Sequence, residues 1–261
     1  MRTRVGQLSV EITRPESAKF HHALLLLHGL WTGGWIWDRF ASHLAHRGWE
    51  SWVPALLERT PGDHDSTVDV IEEVARALPM PPVIVAHDVG VVAAALLASR
   101  MEVPAVVAVA PVVAPADAVR APSVFTWPRY WRVRVAGARV RPPRGTAARA
   151  FLGPQSGQYA GRLVADFGPA FRALAANRAR LPASLGCPGL VLSGALDPVS
   201  PPEICARLAA RFGWSPRAYP GRGHLTMLEP GWEQVAGDIH RWIVQTLGAE
   251  LLALPDEDGA S

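Results

Sequence analysis

Residues 82–100, PVIVAHDVGVVAAALLASR, contain the turn that decides the fold. The apolar run that ends at Ala86 has the length of a buried parallel strand, and a helical pattern begins at Gly90. A strand that runs straight into a helix, with a small residue on each side of the junction, makes a strained turn that presents one side chain above the sheet. That side chain is Asp88. The pattern predicts a nucleophile here, with an ordinary helix-capping aspartate as the alternative.

Short apolar runs alternate with helical patterns on both sides of this turn, which is typical of a parallel sheet built from βαβ units. The predicted strands cover residues 7–13 (an opening edge strand), 23–27, 49–54, 82–86, 105–110, 189–193 and 216–219. The predicted helices cover residues 35–47, 67–78, 90–100, 202–212 and 232–247.

Residues 112–185 lose the strand rhythm and are rich in arginine, proline, glycine and aromatic residues, with a helical stretch near 169–180. An irregular insertion between two strands of a parallel sheet is typical of a lid over an active site. We therefore expect a core formed by residues 1–111 and 186–250 and a lid at 112–185. The polar end, residues 251–261, is expected to be a flexible tail.

Two more polar patterns follow predicted strands late in the chain. Asp197 ends the motif SGALD, and His224 stands between the last strand and the closing helix. The chain order nucleophile, acid, histidine is that of a hydrolytic triad. We therefore predict that His224 is the base and that Asp197 orients it. Taken singly, Asp197 could be a helix cap and His224 a surface histidine.

Two backbone N–H groups are predicted to form an oxyanion hole. The N–H of Val89 lies at a helix N-terminus, where partial positive charge favours an anion. Leu30 follows a buried strand in the motif His-Gly-Leu and would supply the second N–H. Its neighbours His28 and Trp31 are candidates for substrate binding, although His28 could also be a simple turn residue.

These motifs resemble the α/β-hydrolase superfamily along the whole chain. The stretch HGLWTGGWIWDRF, residues 28–40, is similar to the opening motif of the hydroxynitrile lyase and esterase branch. The His-Asp pair at the turn looks like haloalkane dehalogenases and epoxide hydrolases, which carry aspartate there. Val89 departs from the tryptophan of dehalogenases, and Trp31 from the proline of the epoxide hydrolase motif His-Gly-x-Pro. Val91 is bulkier than the residue usually found three after the nucleophile. The resemblance implies an α/β-hydrolase fold, a mostly parallel sheet flanked by helices with an inserted lid, and leaves the branch open.

An aspartate nucleophile restricts the chemistry. Aspartate is ionised near pH 7 and needs no base before it attacks. Attack on an acyl carbon would give a reactive anhydride, whereas attack on a tetrahedral carbon that bears a leaving group gives an ordinary ester. We therefore expect a hydrolase that forms an alkyl-enzyme ester, most plausibly with an epoxide or a related small organic electrophile. His224 would then activate water to hydrolyse the ester. The alternatives are a lyase in which Asp88 and His224 only shuttle protons, and a non-enzymatic binding protein.

Three residues of the insertion are candidates for further roles. Epoxide hydrolases protonate the departing oxygen with lid tyrosines, and Tyr130 and Tyr159 lie in the predicted lid. Their alternative role is packing within it. Asp117 is an alternative triad acid, because some dehalogenases supply theirs after this earlier strand.

The insertion also carries a one-sided charge. No acidic residue lies between Asp117 and Asp166, although this stretch contains nine arginines. They are Arg120, Arg129, Arg132, Arg134, Arg139, Arg141, Arg144, Arg149 and Arg162. One interpretation is a solvated cationic surface. The other is recognition of an anionic substrate or an acidic partner, with Arg129 and Arg132 as the candidate contacts.

Composition excludes several classes of protein. Hydrophobic residues make up 49% and charged residues 19% of the 261 residues, which suits a globular domain. The net charge of +3, with Lys19 as the sole lysine, gives little support for a nucleic-acid partner. Cys187 and Cys205 suggest neither a disulfide framework nor a metal site, and we expect no metal and no cofactor. Without a signal core or an apolar run of membrane length, the expected location is the cytoplasm. The oligomeric state stays open.

Overall fold

The computed structural model describes residues 1–58, 64–118, 139–153, 156–166 and 168–251. Within these ranges, eight strands form one sheet in the order β1-β2-β4-β3-β5-β6-β7-β8. The strands are β1 (Arg2–Val5), β2 (Leu8–Thr13), β3 (Leu24–Leu27), β4 (Ser51–Pro54), β5 (Val83–His87), β6 (Val106–Val109), β7 (Gly189–Gly194) and β8 (Ser215–Tyr219). β2 is antiparallel to both β1 and β4, and the remaining neighbours are parallel.

The centre of the sheet is apolar on both faces. Every residue of β3, β5 and β6 is buried. This explains why these strands are continuous apolar runs and not alternating ones, since helices cover both faces of a parallel sheet. The carboxyl ends of the parallel strands meet at one edge, and the site described below lies there.

The first strand differs from the expectation. We expected residues 7–13 to form the edge strand, but β1 lies outside β2 and forms the edge. Arg2 and Arg4 point to solvent, while Thr3 and Val5 are half-buried. Charged side chains of this kind suit an exposed edge, and they hide the apolar alternation by which a strand is recognised in a sequence.

The described helices follow the predicted pattern with shifted ends. They are α1 (Asp38–Ala45), α2 (His64–Arg76), α3 (Gly90–Arg100), α4 (Thr146–Leu152), α5 (Ser156–Tyr159), α6 (Gly168–Ala175), α7 (Pro202–Phe212) and α8 (Trp232–Leu247). In α8, Val235, Ile239, Ile243 and Leu247 recur every four residues and are buried, which is the pattern of a helix with one apolar face. Gly248 ends this helix with a φ of 51°.

The chain between β6 and β7 includes α4, α5 and α6 and packs on the loop that follows β3. Val140 and Asp166 pair as an antiparallel bridge. Trp31 joins this bridge, because its indole N–H donates to the Val140 carbonyl at 3.1 Å and its own carbonyl accepts from the Val164 N–H at 2.9 Å. These contacts place the segment beside the loop of the predicted oxyanion hole. A lid function for residues 112–185 stays a prediction.

The end of the described chain belongs to the core. A short 3-10 turn, Gly248–Leu251, follows α8, and the Leu251 side chain is fully buried. The predicted flexible tail begins at this residue, and its remainder, residues 252–261, lies outside the described part, so the tail stays a prediction. Among the described residues, no helix combines the length and the apolar character needed to cross a bilayer.

A buried carboxylate ties the two ends of the segment between β6 and β7 to α7. Asp117 accepts hydrogen bonds from Arg180 at 3.1 Å, from the Leu181 N–H at 3.1 Å and from Arg211 at 2.6 Å. Burial alone would raise the pKa of Asp117, but these donors together hold it below its ordinary value.

We expect Asp117→Asn to lower the free energy of unfolding by about 2 kcal/mol at pH 7, because three charge-assisted or backbone hydrogen bonds weaken. A carboxyl group whose pKa is lower in the folded chain than in the unfolded chain stabilises the fold at pH values above its pKa in the unfolded chain. This stability is lost as the pH falls through the pKa of the folded chain. The difference between wild type and variant should therefore shrink in acid. Urea unfolding at a series of pH values measures it.

Asp65→Asn is the matched control, since Asp65 pairs with Arg100 on the surface and exposed ion pairs contribute little. Equal losses in the two variants, or a loss in Asp117→Asn that does not change with pH, would contradict the role given to Asp117.

Candidate active site

Asp88 lies in a strained turn between β5 and α3. Its φ of 57° is in the left-handed region, which residues other than glycine rarely adopt. Hydrogen bonds to the chain around β6 hold the turn: the Asp88 N–H donates to the Val109 carbonyl, and the Asp88 carbonyl accepts from the Val112 N–H. Gly90 is required two positions later, because a Cβ there would lie 2.8 Å from the His28 carbonyl oxygen.

The predicted oxyanion-hole donors both act on the Asp88 carboxylate. The Leu30 N–H donates to Asp88 Oδ2 at 2.9 Å, and the nearby Val89 N–H opposes the rise in the pKa of this carboxyl. Gly29 allows the approach, since a Cβ at this position would lie 2.3 Å from Asp88 Cβ. The other oxygen, Oδ1, is buried and has no hydrogen-bond partner in the described part of the chain.

The predicted base and acid meet beside Asp88. His224 Nδ1 lies 2.8 Å from Asp197 Oδ2, and His224 Nε2 lies 3.9 Å from Asp88 Oδ2. Asp197 Oδ1 accepts from the N–H groups of Val199 and Ser200, so both oxygens of this carboxylate are engaged. The structure thus brings Asp88, His224 and Asp197 together. The alternative in which Asp117 is the triad acid is wrong, because its carboxylate is bonded to the arginines described above.

The charges of the three groups are coupled. Burial lowers the pKa of His224, but the Asp197 carboxylate and, after it, Asp88 outweigh burial and raise this pKa to about 10. Burial raises the pKa of Asp88, while His224 and the N–H groups of Leu30 and Val89 oppose the rise. With a pKa of about 10, His224 carries a proton at neutral pH.

Asp197→Asn is expected to return the pKa of His224 from about 10 toward its ordinary value near 6.5, because the amide removes the largest of the effects that raise it. A raised histidine pKa stabilises the folded chain fully below pH 6.5, and this stability is lost as pH rises through about 10. Wild type should therefore lose stability between these values, and the variant should lose less. Nitrogen-15 NMR titration and unfolding curves measure the two effects.

Asp117→Asn serves as control for this titration, since it makes the same change at a buried carboxylate that does not contact His224. A His224 titration that is the same in wild type and in Asp197→Asn would mean that Asp197 does not set the charge of the base.

A narrow pocket with a cavity volume of about 30 Å³ lies beside the oxyanion donors. Its wall includes the apolar side chains of Leu30, Leu56, Val89, Ala93, Ala170 and Phe171. Three polar side chains also line it: His28, Thr67 and Asp166. The wall is thus mostly apolar, with a few polar groups.

The other predicted contacts are divided between the pocket and the packing around it. His28 is buried and lines the pocket. Trp31 instead packs edge-on against Phe151, with ring centroids 5.0 Å apart, and does not line this pocket. Tyr159 is stacked on Trp35 at 5.7 Å and also lies outside the lining. The tyrosine at 130 lies outside the described residues, so Tyr130 as an acid stays a prediction.

The described arginines of the stretch between Asp117 and Asp166 face solvent. All five are exposed and none lines the pocket: Arg139, Arg141, Arg144, Arg149 and Arg162. Arg162 lies over the Trp35 ring at 4.3 Å. The remaining four, among them Arg129 and Arg132, lie outside the described residues. Recognition of an anion by those two stays a prediction, and Asp166 is the acidic side chain that the described part places in the pocket wall.

Several residues near the site carried no signal in the sequence. Phe151 packs against His224 with ring centroids 4.9 Å apart. Glu229 holds the loop before the base, because its carboxylate accepts from the Gly223 N–H at 2.9 and 3.0 Å. Asp166 and these two belong to segments without clear periodicity, and only the tertiary fold brings them to the site.

In the described part of the chain, one group of three residues could ligate a metal ion: His87, Asp88 and His224. They offer one atom each, and these atoms lie within 4.8 Å of one another. The group shares Asp88 and His224 with the predicted catalytic residues, and it contains His87 and not Asp197.

The sequence profile of the Alpha/beta hydrolase family matches residues 24–238. The chain belongs to this family. The match spans the chain from β3 into α8, and it includes the strained turn, the Asp197 loop and the His224 loop. No curated protein sequence matches the chain.

Solved structures agree with the family in fold. A monoacylglycerol lipase from Paleococcus ferrophilus has a TM-score of 0.72 at 18% identity, over 92% of this chain and 100% of that one. A soluble variant of a monoglyceride lipase from Saccharomyces cerevisiae has a TM-score of 0.71 at 15% identity, over 94% of each chain. An esterase from Thermogutta terrifontis has a TM-score of 0.68 at 19% identity, over 94% and 99%. At these identities the likeness shows the fold alone, and the predicted α/β-hydrolase fold is confirmed.

Proposed function

We propose that this family member is a hydrolase in which Asp88 attacks carbon and forms an alkyl-enzyme ester, with an epoxide or a related small organic electrophile as substrate. The orientation of the Asp88 carboxylate supports this. Leu30 binds Oδ2, while Oδ1 is buried without a hydrogen-bond partner in the described residues and is therefore the oxygen available for attack.

In the first step, Oδ1 would form a bond to the tetrahedral carbon of the substrate while the bond from that carbon to the leaving oxygen breaks. Oδ2 then becomes the carbonyl oxygen of the ester, and it already lies within hydrogen-bond distance of the Leu30 N–H. His224 carries a proton at neutral pH and would give it to the departing alkoxide. This does not need Tyr159, which is stacked on Trp35.

The second step follows from the change in charge. Esterification removes the negative charge of Asp88, which is one of the causes of the raised pKa of His224. The imidazole is then neutral and can take a proton from the water that attacks the ester carbonyl. The N–H groups of Leu30 and Val89 would stabilise the oxyanion, and one such donor contributes roughly 3–4 kcal/mol in a model serine protease.

For this site, a tetrahedral carbon that bears a leaving group is a better target than an acyl carbon. The neighbours in fold include lipases and esterases, but attack by a carboxylate on an ester would have to give a reactive anhydride. This step is unfavourable, because the carboxylate is a better leaving group than the alkoxide that it would have to expel. The pocket wall is mostly apolar beside the donors of Leu30 and Val89, which suits a small organic electrophile with one polar end.

A lyase is the second candidate. His224 Nε2 and Asp88 Oδ2 are 3.9 Å apart, and a pair of this kind could move a proton to and from a substrate without a covalent bond. Such an enzyme would leave the oxygen atoms of Asp88 unchanged, which separates the two candidates.

In ¹⁸O-labelled water, with enzyme in excess over an epoxide such as styrene oxide, we expect label in the Asp88 carboxylate after one turnover. The reason is that water attacks the ester carbonyl, so the first diol carries an oxygen from the protein. Mass spectrometry of the peptide around Asp88 and of the diol measures both. Label in the first diol with none in the peptide would exclude the covalent route.

His224→Gln should form the ester more slowly, because the departing oxygen must then take its proton from solvent, and should fail to hydrolyse it, because hydrolysis of the ester needs a base. Intact-protein mass spectrometry should show the mass of one substrate molecule added to the variant, with turnover lowered by a factor of about 10³ or more.

His240→Gln is the matched control, since His240 is a half-buried histidine that packs against Phe20 and Trp49, remote in its contacts from Asp88. Asp88→Asn should form no adduct. An adduct of equal yield in Asp88→Asn would place the nucleophile elsewhere.

A further inference from the structure

Three buried polar atoms, one of which is the ester-forming oxygen, have no hydrogen-bond partner in the described part of the chain. They are His87 Nδ1, Asp88 Oδ1 and His224 Nε2. Their residues are at most 1% exposed. Unsatisfied polar atoms are costly to bury, and a buried water that makes about three hydrogen bonds is the usual partner of such a group.

His87 is neutral and has a defined tautomer. Its Nε2 lies 3.2 Å from the His224 carbonyl oxygen, and because a carbonyl can only accept, Nε2 carries the hydrogen. Burial, with the neighbouring His224, holds the pKa of His87 well below its ordinary value. Nδ1 is therefore a lone-pair acceptor.

The spacing of the group suits one bridging water molecule. Two partners of one water, at about 2.8 Å in tetrahedral directions, are about 4.6 Å apart. The ligand atoms offered by His87, Asp88 and His224 lie within 4.8 Å of one another.

We propose that His87 Nδ1 and His224 Nε2 together bind the water that hydrolyses the Asp88 ester, so that His87 is a second water-binding residue of the reaction. This rests on the proposed function. It gives His87 a role separate from its hydrogen bond to the His224 backbone.

The hydrogen bonds of this water balance in both states of the enzyme. Before alkylation, protonated His224 donates to the water, and the water donates to Asp88 Oδ1 and His87 Nδ1. After alkylation, neutral His224 and His87 each accept one hydrogen from it. Both hydrogens then point away from Asp88, and an oxygen lone pair faces Asp88 Cγ.

The atoms also balance in the hydrolysis. The water oxygen bonds to Asp88 Cγ and gives one proton to His224 Nε2, while its other hydrogen stays bonded to His87 Nδ1. The bond between Cγ and the product oxygen then breaks, and that oxygen takes the proton from His224. The carboxylic proton left on Asp88 passes to His224, which restores the starting charges.

Two substitutions separate water binding from support of the backbone. In His87→Asn the side-chain oxygen stands near the place of Nδ1 and can accept from the water, but the donor to the His224 carbonyl is lost. In His87→Gln the amide N–H can reach that carbonyl, but the acceptor for the water is lost. With styrene oxide, rapid quenching and mass spectrometry would follow formation and decay of the adduct.

We expect His87→Gln to form the adduct within twofold of the wild-type rate and to hydrolyse it at least tenfold more slowly. His87→Asn should stay within about threefold of wild type in both steps. The reverse order, with Asn impaired and Gln normal, would show that His87 only supports the His224 backbone and would overturn the proposal.

A crystal structure near 1.5 Å resolution tests the same inference without a substrate. Wild type should show a water within 3.2 Å of His87 Nδ1, Asp88 Oδ1 and His224 Nε2, and His87→Gln should lack it. Absence of label from the Asp88 carboxylate of the wild type after turnover of an epoxide in ¹⁸O-labelled water would refute the proposed function, while this water would still decide the inference. Wild type without a water at this position overturns it, even if neither variant folds.

Discussion

The hydrogen bond from the Leu30 N–H to Asp88 Oδ2 joins the loops that follow two neighbouring strands, and the rest of the site is arranged around it. It makes the two oxygens of one carboxylate unequal, since Oδ2 is engaged and Oδ1 is not. The contact is possible because Gly29 has no side chain and because Asp88 adopts a left-handed conformation. A serine hydroxyl in the same turn has one oxygen. That oxygen would have to serve both as the acceptor of this hydrogen bond and as the attacking atom.

The site was largely predictable from the sequence because its principal residues follow strand ends. The positions of Asp88, Asp197 and His224 after predicted strands are enough to place them at one edge of a parallel sheet. The water-binding role proposed for His87 depends on a distance to a carbonyl 137 positions later, which no local pattern encodes. Asp166 reaches the pocket through a single bridge to Val140, and an isolated pair has no periodicity to detect.

The central strands of the sheet could also be predicted from the sequence, whereas its edge strand and the boundaries of several elements could not. The central strands are apolar on both faces and are easily recognised in a sequence, whereas β1 carries arginines and was missed. Boundaries shifted where a polar residue begins a helix, as at His64 of α2, since caps and first turns lack apolar periodicity. Leu251 precedes a polar stretch and is therefore predicted to belong to a tail, yet its side chain is fully buried.

The division of the site along the chain has a consequence for biosynthesis. β5 supplies Asp88, while Asp197 and His224 follow β7 and β8, which come after the whole insertion. A ribosome therefore delivers the nucleophile more than a hundred residues before the base. The first half of the sheet can form while the rest is still being made, since domains fold progressively from the N-terminus during synthesis. In that interval the Asp88 carboxylate has its backbone donors but no imidazolium beside it, and β8 must join the sheet before the charge pair exists. A nascent chain of this protein therefore cannot assemble the charge pair before His224 has emerged from the ribosome.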